Sequence, residues 1–542
     1  MPQFMSDHWV QLTFKGNLLM RNLFWQFTVL VIVINALLMA VGYPGALWSL
    51  VILAPIILLG IHDVFQTRHS ILRNFPVLGH FRFFFEEIRP EIHQYFVESD
   101  TGGVPFNRQQ RTVVYQRAKN VRDTLPFGTE RDVYEIGYEW VNHSITARHL
   151  DAEDIRMTVG GPDCKQPYSA SILNISAMSY GALSQNAIRS LNLGAKLGNF
   201  YHNTGEGGIS PYHLQGGDLT WQIGTGYFGC RTRDGEFNPE TFQMRAQTPS
   251  VKMIEVKLSQ GAKPGHGGIL PAAKLTREIA EIRDVPMGHD VLSPPGHKSF
   301  STPKGLIEFV TQLRELSEGK PIGFKLCVGK RREFLAVCRA MVETGVTPDF
   351  ITVDGGEGGT GAAPLEFTNT IGAPLTESLI FVHNALVGCN LRDRIRIICS
   401  GKVTTGFDII KRLALGADLC SAARAMMMAV GCIQAQKCNT NECPVGVATT
   451  NPMLMKGLVP ADKSQRVYNF HRNTERSVCE MMGAMGLENA EDLRPWHVMR
   501  RVSTSEIRNY SELYEFLEPG VLLKNPPESY ARAWNAASAE SF

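Results

Sequence analysis

The chain has 542 residues, of which 44% are hydrophobic and 20% are charged, with a formal net charge of +2. This length exceeds that of one ordinary domain, and the composition is that of a globular protein with a large core. The near-neutral charge, without a basic face, excludes nucleic-acid binding as the main task. Eight of the eleven cysteines are scattered without the spacing of a disulfide framework, which indicates a reducing compartment.

The N-terminus contains a long apolar block. No charged side chain occurs in residues 23–61, and a Gly-Tyr-Pro-Gly turn divides the block into 23–41 and 46–61. The first piece would span roughly 28 Å as a helix, which is close to the thickness of a bilayer core. Basic residues flank the block on both sides, so the positive-inside rule predicts a hairpin with both ends in the cytoplasm. A signal peptide and a hairpin buried in a soluble domain are the alternatives.

We therefore predict that residues 1–64 form a membrane hairpin, with helices at about 23–41 and 46–61. The protein would lie in the cytoplasmic (inner) membrane, with its catalytic domain facing the cytoplasm. Residues 65–160 are mixed in character and rich in aromatic and charged side chains. They are predicted to form a linker and irregular elements that pack on the main domain.

From about residue 165, short apolar runs alternate with amphipathic stretches. The runs predicted as buried strands are 171–176, 251–258, 322–328, 350–354, 395–400 and 418–422. The stretches predicted as helices are 184–197, 303–316, 331–344, 377–387 and 405–415. This repetition predicts an α/β protein with a (β/α)8 TIM-type barrel over residues 161–455. A Rossmann sheet is less favoured, because no dinucleotide-binding glycine motif opens a helix. Residues 456–542 are predicted to be a helical C-terminal extension.

Glycine-rich loops follow several of the predicted strands. They cover residues 203–208, 261–268, 354–361 and the Ser400-Gly401-Lys402 turn. Active sites of such barrels lie on the loops after the strand C-termini. Glycine lets backbone N–H groups approach a phosphate or a flat ring closely, although ordinary turns also use it. Four such loops on one side of a barrel predict a bound ligand.

Three cysteines lie close together near the end of the predicted barrel. Cys432, Cys438 and Cys443 form a C-x5-C-x4-C array that begins after Gly431 and ends at Pro444. Neighbouring thiolates without a disulfide usually hold metal, and a Cys-Pro ending occurs in iron–sulfur loops. Zinc favours C-x2–4-C pairs and four ligands, so three ligands suit a cluster with one open corner. Buried thiols in a loop are the alternative.

Three segments, 256–265, 354–364 and 431–449, together resemble the FMN-binding synthase domain of glutamate synthase, and the similarity covers roughly residues 160–455. The resemblance implies a barrel that holds FMN beside a [3Fe–4S] cluster and reduces 2-iminoglutarate. It implies Cys432, Cys438 and Cys443 as cluster ligands. The flavin ring is expected to contact Ala177, Met178, Ser179, Gln260 and Lys325, and a lysine there would stabilise the anionic reduced flavin. The phosphate is expected near Gly355, Gly356, Gly359, Gly401, Ala423 and Arg424.

The resemblance also implies residues for the substrate, a 2-oxoglutarate-like dicarboxylate. Substrate-binding positions are Lys263, Arg283, Glu206 and Ser179, and the catalytic assignments are Lys325, Lys263 and Glu206. Two positions depart from the family pattern. Ile269 stands where the family has a glutamine that helps to bind 2-oxoglutarate, and losing such a polar contact weakens recognition by about 1–3 kcal/mol. Ser400-Gly401-Lys402 stands where glutamate synthases have an Asp-Gly-Gly start.

The sequence also suggests what the protein obtains from elsewhere. Pro2 follows the initiator methionine, where an N-terminal amidotransferase carries its nucleophilic cysteine. We therefore expect no glutaminase domain, so that ammonia, an amine or a separate glutaminase subunit supplies nitrogen. No dinucleotide-binding domain is apparent. Electrons are therefore expected to arrive through the cluster from a ferredoxin or a separate reductase.

The sequence thus predicts a membrane-anchored oxidoreductase of the glutamate synthase type, acting on the CH–NH2 group of its product. Two alternatives keep the cofactors and change the task. One is a membrane-associated flavin and iron–sulfur electron-transfer subunit that acts on another substrate. The other is a non-catalytic redox sensor.

Overall fold

A computed structural model describes residues 3–122, 124–150 and 155–542, with side chains from Met20 onward within those ranges. Pro2, on which the expectation about a glutaminase rests, lies outside the described residues. The chain divides into two compact units, Met1–Ser99 and Asp100–Phe542.

The first unit is built on two long apolar helices. α1 covers Gln3–Ala40, α2 covers Trp48–Phe65, and a 3-10 turn at Pro44–Leu47 joins them. Within them, Met20–Ala40 and Pro44–Phe65 are long and apolar enough to cross a membrane, and only 22% and 11% of these windows are buried. Most of their apolar side chains are therefore exposed. In a hairpin buried in the core of a soluble domain, most of them would be buried.

A contact between one glycine and one phenylalanine sets how closely the two helices approach each other. A Cβ on Gly60 of α2 would lie 2.2 Å from Cε2 of Phe24 on α1. Since the Phe24 ring is itself buried, a larger residue at position 60 would push the two helices apart. The polar Asn35 is also accommodated, because its amide donates to the Val31 carbonyl and accepts from the Ser49 hydroxyl.

Further helices follow where the sequence suggested a linker with irregular elements. In the first unit they are α3, Ser70–Asn74, and α4, Gly79–Ile92, which continues into a π-helical turn at His93–Val97. In the second unit α5 covers Arg108–Lys119. Asn107 caps α5 in a capping box with Gln110, which is why this polar sequence forms a defined helix.

Eight parallel strands of the second unit close into a barrel. They are β1 Leu173–Ile175, β2 His202–Asn203, β3 Leu219–Ile223, β4 Val251–Lys257, β5 Ile322–Leu326, β6 Phe350–Asp354, β7 Arg396–Ser400 and β8 Leu419–Ala422. Each strand pairs with the next, and β8 pairs with β1 to close the ring. Almost all of their residues are buried, because helices cover the outer face. The predicted α/β class and TIM-type barrel are confirmed.

Helices and short turns connect the strands. The helices are α6 Gln185–Gly198, α7 Pro239–Ala246, α8 Arg277–Arg283, α9 Pro303–Leu316, α10 Arg331–Thr344, α11 Leu365–Thr370, α12 Leu375–Gly388, α13 Gly406–Ala414 and α14 Arg424–Val430. Ser184, Thr302 and Thr405 begin α6, α9 and α13 by accepting a backbone N–H through their side chains. Such caps explain why the predicted helix starts lie within two residues of the observed ones.

The elements after the barrel pack back onto those before it. α15 covers Pro452–Met455, and the long α16, Pro460–Ala484, packs against α5 and α6. The strand Val498–Arg501 pairs with Glu139–Val141 and with Ile507–Asn509, so the C-terminal extension contains strands as well as helices. Three short helices complete it, at Tyr510–Leu513, Val521–Lys524 and Glu528–Asn535. Two further antiparallel pairs join Arg156–Val159 to Tyr168–Ser171 and Ile269–Leu270 to Val291–Leu292.

Candidate active site

The carboxyl ends of the barrel strands open into a cavity of about 480 Å³. Most of the residues predicted for the site line it, namely Ala177, Met178, Ser179, Glu206, Gln260, Lys263, Arg283, Lys325, Gly359, Gly401, Ala423, Arg424, Cys432, Cys438 and Cys443. A wider open groove of about 1010 Å³ reaches the amino end of β4 at Val251 and contains none of them. The strand ends therefore bring the predicted residues together in the place where barrel enzymes carry their active sites.

Positive charge predominates around Glu206. The Lys257 ammonium lies 2.7 Å from the Glu206 carboxylate, and Lys263 and Arg283 are close enough to act on the same carboxylate. Burial raises the pKa of Glu206, but the three cations together hold it below its ordinary value. Glu206 neutralises one of the three positive charges. This part of the cavity therefore has an excess of two positive charges, which suits a ligand with two carboxylates.

The two predicted substrate cations are buried and only partly hydrogen-bonded. Lys263 donates to the Ala362 carbonyl at 2.7 Å, and Arg283 donates to the Tyr180 carbonyl at 3.1 Å. The Arg283 Nε has no partner among the described residues. Burial lowers the pKa of Arg283 to about 10 against the opposing effect of Glu206. Burial and Lys257 lower the pKa of Lys263 to about 8. Both groups therefore gain from an anion in the cavity.

Glycines hold the Glu206 carboxylate in a narrow slot. A Cβ on Gly268 would lie 2.4 Å from one Glu206 oxygen, and a Cβ on Gly224 would lie 2.5 Å from the other. Ile269, which stands where the resemblance led us to expect a glutamine, also lines the cavity and pairs with Leu292 in a short antiparallel strand pair. The cavity wall near Lys263 and Arg283 is therefore apolar at Ile269, where the side-chain amide of a glutamine was expected.

A second charged group lies deeper in the barrel. The Lys325 ammonium is 3.2 Å from the Asp354 carboxylate, and both side chains are 7% exposed. Asp354 also accepts the Gly261 N–H at 2.8 Å. Burial alone would lower the pKa of Lys325, but Asp354, Glu255 and Glu206 raise it above its ordinary value. Lys325 therefore stays protonated and positively charged at the cavity wall.

Glu255 is the hub of this deeper group and was not predicted. It accepts hydrogen bonds from Asn203 at 2.9 Å, Gln222 at 2.7 Å and Thr352 at 2.5 Å, all inside the barrel. Lys257, which pairs with Glu206, was also missed. Both lie in β4, and charged residues within a run predicted to be a buried strand are the sequence signal that could have revealed them.

The region predicted for a phosphate is supported only in part. Gly401, Ala423 and Arg424 line the cavity, and Lys402, which was not predicted, lines it beside Arg424. Burial and the neighbouring Arg424 lower the pKa of Lys402. Two cations at one end of the cavity fit a phosphate.

Gly355 and Gly356, which were also predicted for the phosphate, donate their N–H groups to other parts of the protein. The Gly355 N–H donates to the Ser400 carbonyl at 3.0 Å, and the Gly356 N–H donates to the Ala373 carbonyl at 2.8 Å. Neither residue lines the cavity. Both glycines let neighbouring segments pack closely, since a Cβ on Gly355 would lie 2.5 Å from the Leu375 Cβ and a Cβ on Gly356 would lie 2.8 Å from the Gly372 carbonyl oxygen. Their assignment as phosphate ligands stays a prediction.

The three predicted cysteine ligands are free thiols on a single loop after α14. Burial, with Cys438 and Cys443 nearby, raises the pKa of Cys432 to about 12. Within the described ranges, no three His, Cys, Asp or Glu side chains are grouped as a single metal ion requires. Gln434, Gln436 and Asn441 all have positive φ, at 59°, 56° and 67°. Strained backbone at three non-glycine positions is typical of a functional loop.

A buried lysine lies against this loop. Lys274 is 2% exposed and donates to three carbonyls, those of Ala182 at 2.6 Å, Ala448 at 3.1 Å and Cys438 at 3.2 Å. Burial lowers its pKa to about 8, and Cys438 and Cys443 oppose that effect. No carboxylate pairs with Lys274 among the described residues. A buried cation that donates to carbonyls and lies near two thiols fits an anionic group held by the cysteines.

α5 and the residues just before it contact the same loop. The Tyr115 hydroxyl donates to the Cys432 carbonyl at 2.8 Å, and the Gln434 side chain exchanges two hydrogen bonds of 3.1 Å with the Phe106 backbone. The Arg424 guanidinium lies 4.7 Å from the centre of the Phe106 ring. Residues N-terminal to the barrel thus close the cavity between the expected phosphate and cysteine regions.

The fold and this cavity define a class, a (β/α)8-barrel protein with buried cations at the strand ends and three thiols on one loop of the same cavity. Residues 144–488 match the family described as "Conserved region in glutamate synthase". The chain therefore belongs to the glutamate synthase family.

Individual relatives agree with this membership. The chain is 37% identical over 507 residues to the glutamate synthase large subunit-like protein YerD of Bacillus subtilis, covering 85% of this chain and 96% of that protein. It is 33% identical over 362 residues to an archaeal glutamate synthase (NADPH) of Methanocaldococcus jannaschii, covering 66% and 67%. Similarity to a ferredoxin-dependent glutamate synthase of Antithamnion sp. is 29% and covers 79% of this chain but 26% of that protein.

Among solved structures, a flavocytochrome b2 mutant with bound pyruvate aligns over 82% of this chain and 91% of its own, with a TM-score of 0.40 and 14% identity. A mandelate oxidase mutant aligns over 75% and 92%, with a TM-score of 0.38 and 13% identity. At this level of similarity the alignments say nothing about ligand or reaction.

Proposed function

We propose that the protein is an FMN-dependent and iron–sulfur-dependent glutamate synthase. It would convert 2-oxoglutarate, ammonia, two electrons and two protons into glutamate and water, by way of 2-iminoglutarate. The observation that carries this proposal is the excess of two positive charges around Glu206, beside the buried Lys325. Two surplus positive charges suit a dicarboxylate, and membership of the glutamate synthase family favours 2-oxoglutarate as that dicarboxylate.

The residues present fit FMN. Arg424 and Lys402 at one end of the cavity would hold the phosphate, while the Ala177–Ser179 backbone, Gln260 and Lys325 would surround the ring. FMN, when bound, supplies the hydride that reduces the imine. Lys325, held by Asp354, would place a fixed positive charge beside the ring.

The substrate would be oriented by the remaining cations. Lys263 and Arg283 would bind its carboxylates, and Glu206 with Lys257 would keep those cations apart and fixed in direction. The apolar Ile269 would help to exclude water from the reacting carbon. No protein nucleophile is required, because the protein contributes orientation and charge.

The cysteine loop fits an iron–sulfur cluster better than a single metal ion. The three thiols line one cavity, and Lys274 provides a buried counter-charge beside Cys438. We propose a [3Fe–4S] cluster on Cys432, Cys438 and Cys443. It would receive electrons from a ferredoxin or a separate reductase. The hairpin would anchor the protein in the cytoplasmic membrane, with the barrel on the cytoplasmic side.

Replacing Cys438 with serine tests the cluster. We expect the purified variant to lose its iron and the visible absorbance of the cluster, because a thiolate ligand is removed. Cys479→Ser is the matched control, since Cys479 is a buried free cysteine on α16 outside the loop. Iron analysis and electron paramagnetic resonance of anaerobic protein measure the result. Equal iron content in both variants would contradict the assignment.

Replacing Lys274 with methionine tests the charge beside the cluster. We expect the reduction potential of the cluster to become more negative, because removing a buried cation disfavours the added electron. Lys437→Met is the matched control, because Lys437 is on the same loop but exposed, where water screens its charge. A spectroscopic redox titration measures both shifts. Equal potentials in the Lys274 variant and the parent would contradict this role.

The affinity for 2-oxoglutarate is expected to depend on pH through Lys263. Its pKa of about 8 means that it is charged below pH 8 and loses its charge above that value. Binding of the dianion favours the charged form, so affinity is fully present below pH 8 and falls as the pH rises through it. Titration of 2-oxoglutarate, followed by the flavin spectrum, measures the dissociation constant. The pH step should vanish in Lys263→Met, and a step that remains would contradict the assignment.

A second function is favoured by Ile269 and the apolar helices together. The protein would then be a membrane-associated flavin and iron–sulfur electron-transfer subunit with another substrate. Under this hypothesis a quinol, rather than a ferredoxin, would reduce the cofactors in membrane vesicles, and 2-oxoglutarate would not change the flavin spectrum.

A further inference from the structure

The helix α4 and the π-helical turn after it carry a row of exposed apolar side chains, which we call the aromatic face. It consists of Phe81, Phe84, Phe85, Ile92, Tyr95 and Phe96, each between 39% and 85% exposed. Spacings of three, four and seven residues place these side chains on one side of a helix. Arg82 and Glu86 lie outside it and pair with each other at 2.9 Å. An exposed apolar surface of this kind marks contact with lipid or with another protein.

The start of α4 is fixed at the end of an apolar helix. Asp63 lies two residues before the end of α2 at Phe65, and it is fully buried. Its carboxylate accepts the Val77 N–H at 2.9 Å and the His80 side chain at 3.0 Å. α4 therefore begins at the level where the candidate span Pro44–Phe65 ends. If that span crosses a bilayer, this level is the boundary between acyl chains and headgroups.

The charge of this segment indicates how it would bind. Residues 66–99 contain four arginines and four glutamates, so their formal charge cancels. Attraction to anionic headgroups would therefore contribute little, and burial of the aromatic face would dominate. Helices that lie in the membrane interface typically carry Trp, Phe or Leu on their buried side, and this face contains four phenylalanines and one tyrosine.

We propose that Gly79–Val97 lies in the plane of the membrane surface, with the aromatic face inserted into the lipid. The exposed apolar sides of α1 and α2 belong to the same compact unit, so lipid rather than a protein partner is the occupant that covers all of these surfaces at once. The unit would then hold the membrane by a hairpin and by a surface helix. This inference rests on the proposed membrane anchoring but is independent of the reaction.

The test compares two tryptophan variants of the full chain in phosphatidylcholine vesicles. Phe85→Trp places the probe on the aromatic face, and Glu87→Trp places it about 200° around the helix. The spectrum of the parent protein is subtracted, since the chain has seven tryptophans of its own. Lipids brominated near the headgroup end of their chains should quench most of the added fluorescence of Phe85→Trp and little of that of Glu87→Trp. Quenching should not change when anionic lipid or salt is added.

Equal quenching of the two probes, or none, would overturn the proposal. The tryptophan at position 85 could instead be shielded from water and not quenched by the brominated lipids. Together with cross-linking between copies of the chain, that result would assign the aromatic face to self-association. Phe96→Trp provides a second probe if Phe85→Trp does not fold, because Phe96 is the most exposed member of the face. Neither probe depends on bound flavin, so failure here would leave the proposed reaction untouched.

Discussion

Replacing Lys325 with methionine is expected to lower the free energy of unfolding by about 3–5 kcal/mol, because it leaves the Asp354 carboxylate buried without its cation. The two groups are 3.2 Å apart, and each is 7% exposed. Glu255, which lies within electrostatic reach of the same ammonium, loses the same support. Chemical denaturation followed by circular dichroism measures the change.

Lys330 offers a matched control for this prediction. It pairs with Glu333 at the same distance of 3.2 Å, but its side chain is 77% exposed. Lys330→Met should therefore change the free energy of unfolding by less than about 1 kcal/mol. The double variant Lys325→Met, Asp354→Asn should recover part of the lost stability, since it removes the unpaired charge. Equal effects at positions 325 and 330 would contradict the account of the buried pair.

Replacing Arg283 with leucine is expected to weaken 2-oxoglutarate binding by about 30-fold or more. Removing one partner of a buried charge pair costs about 2 kcal/mol or more, and 1.4 kcal/mol corresponds to a factor of ten. Arg283 is buried at the cavity wall, and its Nε has no other partner among the described residues. The dissociation constant from flavin spectral titration measures the effect.

Arg277 lies on the same helix and controls for structural effects of the substitution. Its side chain is exposed and pairs with Glu281 at 2.9 Å, four residues along α8. Arg277→Leu should leave the dissociation constant within about threefold of the parent value, as surface substitutions generally do. Both variants should keep their flavin. A normal dissociation constant in Arg283→Leu would show that this arginine does not hold the substrate.

The barrel could be predicted because most of its strands are short, mainly apolar runs that alternate with amphipathic stretches. β4 to β8 contain runs of this kind, and α9 and α10 have the predicted bounds. β2 could not be predicted, since it has two polar residues, His202 and Asn203, whose strand conformation depends on pairing with neighbours. β3 mixes polar and apolar residues because Gln222 points into the polar barrel interior.

The site was only partly predictable for a related reason. Spacing along the chain identified Cys432, Cys438 and Cys443, and the family resemblance identified Lys263 and Arg283. Neither could show that Lys274 donates to the cysteine loop from more than 150 residues away in the chain, a contact that the fold alone creates. Likewise, glycine content suggested Gly355 as a phosphate ligand, whereas the structure uses its N–H within the barrel. These roles depend on hydrogen bonds between residues that are far apart in the chain, which the sequence does not reveal.

The central claim is that reducing equivalents stored in this barrel reduce an imine made from 2-oxoglutarate. The most direct measurement uses anaerobically reduced protein, mixed with 2-oxoglutarate and ammonia, with flavin absorbance and glutamate followed together. The account predicts that the flavin is reoxidised and that one glutamate forms for every two electrons withdrawn. Protein with intact flavin and cluster that stays reduced and forms no glutamate would contradict it.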